Sequence, residues 1–449
     1  MAPCGATDRV FISLMAIPER ALPRKRAEQG FRFVLSQPAF RLIWLAQVAA
    51  QLADKFLMFS LIILAYNLSG ASTQVAITLL AYTVPTIAIG PPAGVFADRH
   101  NRKLIMVVTN FARAFIVLLI PLAAMVPGLR HDFWHLLLLI VLFSSIGQFF
   151  SPAEAAAIPT VLPKQAFLTA NSMVLMTMVL TLVVGGTLAP LVSRLDLYAP
   201  YWWATLLFVV AGTLILFAHI PRTAALPRDP NRHPFHQFAM ELRHGAEVLA
   251  TSPVLLVAFS QVSLAVLVMF MMFTLAPAFA KTVIGIPPED SYLILVPATL
   301  GAILSAVLLG QFGRRLKKHW LLVGSLLATG MTLLALASVP ILARQVLSEN
   351  TRIFAATFSF LLGLEFGGLM IPSITYLMEE TADTVRGRIF SLLFTVVNGA
   401  TAVPVLVAAA LADTLGTNRV IGGLGLLLAL SGVGVATFAR RVFAPAAGR

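Results

Sequence analysis

Runs of apolar residues, most of them about as long as a bilayer is thick, dominate this chain and leave it few ways to fold. A helix needs roughly 20 apolar residues to cross the hydrocarbon core. The runs Leu42–Leu68, Val75–Ala97, Leu104–Val126, Phe133–Phe150, Phe167–Val192 and Tyr201–Ile220 meet that length or nearly so. After a polar stretch come Val254–Ala280, Tyr292–Phe312, Trp320–Leu342, Ile353–Leu377, Ile389–Leu411 and Val420–Ala439. Composition agrees: 59% of residues are hydrophobic and 11% charged, with a mean hydropathy of +0.89. A soluble domain holds about 45–50% apolar and 25% charged residues, so water offers no reason for the excess and a lipid surface does. The reading is an all-α polytopic membrane protein with twelve transmembrane helices.

The formal net charge of +13 would suit a nucleic-acid partner, but its distribution points elsewhere. Of 32 Lys and Arg, 24 fall in the two tails and in alternate loops, and six in the loops of the opposite side. That is the positive-inside pattern, with both termini cytoplasmic. Cationic loops facing anionic headgroups need no nucleic acid. Cys4 is the one cysteine, so neither an internal disulfide nor a cysteine-based zinc site is available, and no cofactor motif appears. Val10–Ile17 is a short apolar run followed by Pro18 and charges, unlike an ordinary signal peptide. Residues 1–38 read as a cytoplasmic tail, with Met15 as an alternative start.

The longest polar interruption, 221–252, holds Pro221, Pro227, Pro230 and Pro234 and then Phe235–Leu249, which suits an amphipathic cytoplasmic helix. It separates a six-helix bundle at 39–220 from another at 253–440, with a tail at 441–449. Local matches suggest a parallel repeat. Gly94-Val-Phe-Ala-Asp98-Arg99 ends the second run and Gly310-Gln-Phe-Gly-Arg314-Arg315 the eighth. The fourth run meets Pro152 and the tenth Pro372, while Gly185…Pro190 matches Gly399…Pro404. In folds built from such repeats the substrate site lies near the midplane, between the halves.

The loop after the second run, Gly94-Val-Phe-Ala-Asp98-Arg99-His100-Asn101-Arg102-Lys103, resembles the cytoplasmic-loop signature of the major facilitator superfamily, with Asn101 at its second Gly. Asn, like Gly, tolerates positive φ. Gly94 lets another helix approach closely. Asp98 can accept hydrogen bonds from free N–H groups at a helix start. The resemblance implies that this start belongs to the eleventh span, near Arg386-Gly387-Arg388. Arg102 and Arg388 would then bracket Asp98 and, with Arg99 and Lys103, latch the halves in the outward-open state. Ala39-Phe40-Arg41, Gln47, Gln51, Asp54, Phe150-Ser151-Pro152-Ala153, Ala170-Asn171-Ser172, Gly387–Ser391 and Ala412–Gly416 resemble the macrolide-efflux and enterobactin-exporter branch.

Asp54 and Glu365 lie well inside apolar runs, as do Lys55 and Arg113. Each costs at least about 2.5–3.5 kcal/mol at a helix centre, so each should face the bundle and find a partner. The resemblance puts spans one, four, seven and ten around the central cavity, where Asp54 and Glu365 can contact substrate or carry a coupling proton. A static Asp54–Arg113 bridge is the plainer alternative, and Lys55 is expected to point elsewhere. Gln47, Gln51, Gln148, Tyr376 and Asn398 are further cavity candidates.

A His-Glu-x-x-His motif, a phosphate loop and a Ser with an adjacent base are all missing, so the chain is not read as an enzyme. The expected function is secondary active transport: proton-coupled export of an amphipathic or hydrophobic small molecule across a bacterial inner membrane, by a monomer. A lipid or lysolipid translocator and a proton-coupled importer are the alternatives, with a membrane-embedded enzyme more remote.

Overall fold

A computed structural model describes residues 31–129, 132–221, 234–312, 318–345, 351–381, 389, 392–393 and 401–442. Every regular element among them is helical. Lipid dictates this, because only an intrahelical ladder or a closed barrel satisfies the backbone polar groups without water. In chain order the helices are α1 (Phe31–Ser36), α2 (Pro38–Ser69), α3 (Ser72–Arg99), α4 (Arg102–Ala124), α5 (Phe133–Gly147), α6 (Phe150–Val161), α7 (Phe167–Leu195), α8 (Ala199–Phe217), α9 (Pro234–Thr251), α10 (Pro253–Phe279), α11 (Tyr292–Phe312), α12 (Lys318–Gln345), α13 (Thr351–Glu379), α14 (Ala402–Leu415) and α15 (Thr417–Val442). Eleven helical stretches are long and apolar enough to cross a membrane, and α14 is a shorter apolar helix. Most of 382–400, where the eleventh run begins, lies outside the described residues.

Two boundaries differ from the sequence reading. The fourth span does not stop at Phe150 but runs on through α6 to Val161. Pro152 falls in the first turn of α6, where a missing N–H costs nothing, and the Ala-rich stretch behind it carries the helix on. The stretch read as a tail also contains structure: Val34 of α1 is fully buried in a cluster with Phe40, Ile158 and Leu162.

Corresponding helix pairs pack alike in the two groups of spans: α4 on α8 as α12 on α15, α2 on α7 as α10 on α14, and α3 on α5 as α11 on α13. In the second group, backbone approaches backbone where glycine removes a side chain. A Cβ at Gly301 of α11 or Gly363 of α13 would collide with the other helix's carbonyl, at Phe360 or Ala298 respectively. The close approach expected at Gly94 is not made by any described residue, since a Cβ there would meet nothing within 4 Å.

Large apolar side chains point outward. Val403, Val407, Leu411 and Leu415 recur every four residues along α14 and are all exposed. So are Leu104, Val108 and Phe115 on α4. Stripes of this kind would be an aggregation liability in water and are ordinary against acyl chains.

A bulky residue at the α11–α13 crossing should separate the helices. Gly363→Leu is expected to cost at least about 1–3 kcal/mol and to lower the melting temperature of the detergent-solubilised protein. Gly94→Ala should leave it unchanged. Equal melting of all three would mean the crossing is not close-packed.

Candidate functional site

Three regions matter: a polar cluster within α2–α6, the end of the bundle where α2 begins (the termini face), and the opposite end (the distal face).

In the cluster, α2 contributes Asp54 and Lys55. Adjacent residues on a helix point about 100° apart, yet the long lysine curls back and its Nζ lies 3.2 Å from Asp54 Oδ2. This corrects the expectation that Lys55 faces elsewhere. The crossing of α7 over α2 centres on the same residue, for a Cβ at Gly185 would collide with the Lys55 Cβ.

Arg113 of α4 forms no ion pair with Asp54 among the described residues. Its Nη2 donates to Asn110 Oδ1 at 2.8 Å, and Asn110 is anchored in turn on the Met106 carbonyl. Three rings surround the guanidinium, with centroids at 4.5 Å for Phe208, 5.1 Å for Phe150 and 5.9 Å for Phe143. Such cation–π contacts replace part of the lost hydration. Glu154 of α6 lies within the electrostatic reach of Arg113 and is 6% exposed. Sequence reasoning missed Glu154 because it ended the fourth span too early. The available signal was a single carboxylate in a run of alanines.

The other candidates scatter. Glu365 accepts a hydrogen bond from the Thr332 hydroxyl of α12 at 2.6 Å. It therefore turns into its own group of helices, a correction to its expected place with Asp54 around a shared cavity. Its other oxygen, Oε2, is buried with no hydrogen-bond partner among the described residues. Gln47 is buried with neither amide atom partnered, and Gln261 of α10 is in the same condition. Gln51 and Tyr376 are half-buried. Gln148 donates to the Ser144 carbonyl of its own helix. Asn398 lies outside the described residues.

On the termini face, Arg102 Nη1 donates to the Ala156 carbonyl of α6 at 2.8 Å. Asn101 has φ −66°, not the positive φ that its place in the motif suggested, and caps α4 by accepting from the Leu104 N–H. Arg99 is exposed and Lys103 half-buried. The Asp98 side chain and Arg388 lie outside the described residues, so the bracketing of Asp98 does too.

The distal face shows what the sequence did not suggest. The residue before α3 is Ala71, whose side chain cannot cap the free N–H groups. Asp413, from α14, does so instead: Ser72 N–H donates to Oδ1 at 2.7 Å, Thr73 N–H to Oδ2 at 2.9 Å, and the Thr73 hydroxyl to Oδ2 at 2.6 Å. Arg194 of α7 lies 3.1 Å from Asp290 and donates to the Tyr292 hydroxyl. Asn67 of α2 donates to Glu289 at 2.7 Å. All three links join 39–220 to 253–440, across a long sequence separation.

Known proteins agree with this architecture. The family model described as Major Facilitator Superfamily matches residues 43–404. The MFS-type transporter YfiS of Bacillus subtilis is 22% identical over 395 residues, covering 86% of this chain and 90% of that protein. Macrolide efflux protein A of Streptococcus pyogenes is 22% identical over 388 residues, covering 85% and 91%. Multidrug resistance protein MdtG of Enterobacter lignolyticus is 26% identical over 308 residues, covering 66% of each. Among solved structures, a bacterial homologue of the human lysosomal transporter Spinster, inward-facing and unoccupied, superposes with a TM-score of 0.65 at 13% identity, covering 90% of this chain and 98% of that one.

The Asp54–Lys55 pair lends itself to a double-mutant cycle. Lys55→Met leaves a carboxylate at membrane depth without its cation, so it should destabilise more than Asp54→Asn/Lys55→Met together. A coupling of about 0.5–3 kcal/mol is expected from thermal unfolding in detergent, and simple additivity of the two changes would deny the pair an energetic role.

Proposed function

The chain belongs to the Major Facilitator Superfamily, and on that premise we propose that it exports an amphipathic or hydrophobic small molecule by alternating access, with protons as the coupling ion. It is a multi-pass protein of the bacterial plasma membrane, in a family of transporters that includes proteins named for efflux. On our reading the termini face is cytoplasmic, the distal face is external, and the present conformation opens inward.

The observation that carries this reading is the cap that Asp413 places on α3. A helix start with a missing cap on one half, completed by a carboxylate from the other, is a joint that opens without unfolding either part. Its strength is suitable. An N-cap contributes about 0.5–2 kcal/mol, and exposed ion pairs such as Arg194–Asp290 about 0–1 kcal/mol. The clasp then amounts to a few kcal/mol, the scale of conformational equilibria that a ligand can shift. The loop with Gly94, Asp98, Arg99, Arg102, Lys103 and Arg388 is proposed as the counterpart that engages when the distal clasp is released.

Export is favoured over uptake by the relatives named for macrolide efflux and multidrug resistance. A small apolar pocket lies between the halves, lined by Ala76, Leu79, Thr83, Phe270, Thr401 and Val405. Asp54, paired with Lys55, is proposed as a contact for the substrate. Glu365 is assigned a supporting role in its own half.

Efflux of erythromycin and ethidium from cells expressing the protein should stop on adding an uncoupler. Asp54→Asn should lower it tenfold or more at matched membrane levels, and Glu365→Gln should lower it less. Net accumulation of either compound by wild type would replace export with uptake. In a Cys4→Ser background, a short thiol crosslinker across Thr73→Cys and Asp413→Cys should abolish efflux until reduced. Full activity of the crosslinked protein would rule out opening of the distal face.

A further inference from the structure

Glu154 and Arg113 are both more than nine-tenths buried in the same group of helices, and neither satisfies the other. Glu154 Oε1 has no hydrogen-bond partner, and neither has Arg113 Nε. No ion pair joins the two among the described residues, but they share a side of α6: the Phe150 ring, one turn before Glu154, lies 5.1 Å from the Arg113 guanidinium. This differs from Asp54, whose charge is already matched by Lys55 at 3.2 Å. Glu365 also keeps one buried oxygen unpartnered, but its other oxygen accepts from the Thr332 hydroxyl. An ionised carboxylate left this way at membrane depth would be one of the costliest groups in the protein. The arrangement is stable in one form, with Glu154 neutral and Arg113 held apart by Asn110 and the rings of Phe143, Phe150 and Phe208.

We propose that Glu154 is the proton-carrying carboxyl of this transporter and Arg113 the cation that displaces its proton. When Arg113 leaves its ring cage and closes on Glu154, the O–H bond breaks, the proton passes to water, and a guanidinium–carboxylate pair remains. Reversal takes one proton back from water. The proposal rests on the transport reading above and moves the coupling proton from Asp54 to Glu154, with Asp54 left to the substrate and to Lys55.

Geometry around α6 supports the exchange. α6 packs against α2, α3, α4, α5 and α7. The ionisable groups on those helices are Asp54, Lys55 and, near its distal end, Tyr66 on α2, Tyr82 and the exposed Arg99 on α3, Arg102, Lys103 and Arg113 on α4, His135 at the distal start of α5, and Arg194 at the distal end of α7, with Arg41 near the start of α2 and Asp98 of α3 on the termini side. Arg102 is committed to the Ala156 carbonyl. By helical rise, Glu154 stands about 10 Å from the Val161 end of α6, nearer the termini face than Asp54 is. Gly147, at the end of α5, presents no side chain to Arg113, and even an added Cβ would stay 3.7 Å from its Cδ.

Infrared difference spectra of the purified full chain in lipid, taken between acid and alkaline buffer, read this proton without any substrate. Wild type should show the carbonyl stretch of a buried protonated carboxyl at acid pH that disappears at alkaline pH. Glu154→Gln should lack that band, Glu154→Asp should shift it, and Asp54→Asn and Glu365→Gln should keep it. Survival of the band in Glu154→Gln, or its loss in Asp54→Asn instead, would overturn the assignment, as would the absence of any titrating buried carboxyl in wild type. Monodisperse gel filtration of Glu154→Asp guards against misfolding as the cause. In vesicles, Glu154→Gln should lose proton-driven ethidium transport at least tenfold while keeping ethidium exchange. A wild type that moves neither ethidium nor erythromycin would sink the export reading and leave the infrared result standing or falling by itself.

Discussion

Hydrocarbon solvates neither a peptide group nor a charge, and the rest of this structure follows from that. Backbone polarity is absorbed by helices from Phe31 to Val442 wherever residues are described. Side-chain charge has fewer outlets. Asp54, Lys55, Arg113, Glu154 and Glu365 lie within the spans. Each costs at least about 2.5–3.5 kcal/mol at a helix centre, against a total stability of about 5–15 kcal/mol for a typical domain. Four of the five gather in α2, α4 and α6, where an adjacent cation, an asparagine and aromatic faces share the expense of desolvation.

The two groups of helices solve different problems with the same packing scheme. The first uses its interior for polar groups and its glycines to bring α7 against α2 at Lys55 and Phe59. The second is drier and is drawn together by glycine at the α11–α13 and α12–α15 crossings. Among the described residues, the polar links between them are a carboxylate on a helix start, an arginine on an aspartate and an amide on a glutamate, while apolar packing such as Phe59 on Phe273 and Ala76 among Met271 and Val405 joins them deeper in.

Most of the architecture was legible in the sequence, because a run of twenty apolar residues admits one structure in lipid. The site was legible only in part. Asp54 and Arg113 announced themselves as charges in apolar runs. Glu154 did not, because Pro152 looked like a stop, although proline is harmless in the first turn of a helix. Lys55 looked misdirected by its 100° offset from Asp54, although its stem is long enough to return. Asp413 gave no signal as a gate residue, since its partners are main-chain N–H groups more than three hundred residues away.

By itself, then, the sequence determined that the chain spans a membrane many times, that it is helical, and that some charges must be hidden among the helices. These follow from transfer free energies, which depend on residue type and run length alone. Which charge meets which depended on tertiary structure: Glu365 on Thr332, Glu154 near Arg113, Asp413 on the start of α3. Such pairings depend on how helices rotate and cross. Packing and glycine contacts set those angles between residues far apart in the chain, and no local pattern encodes them.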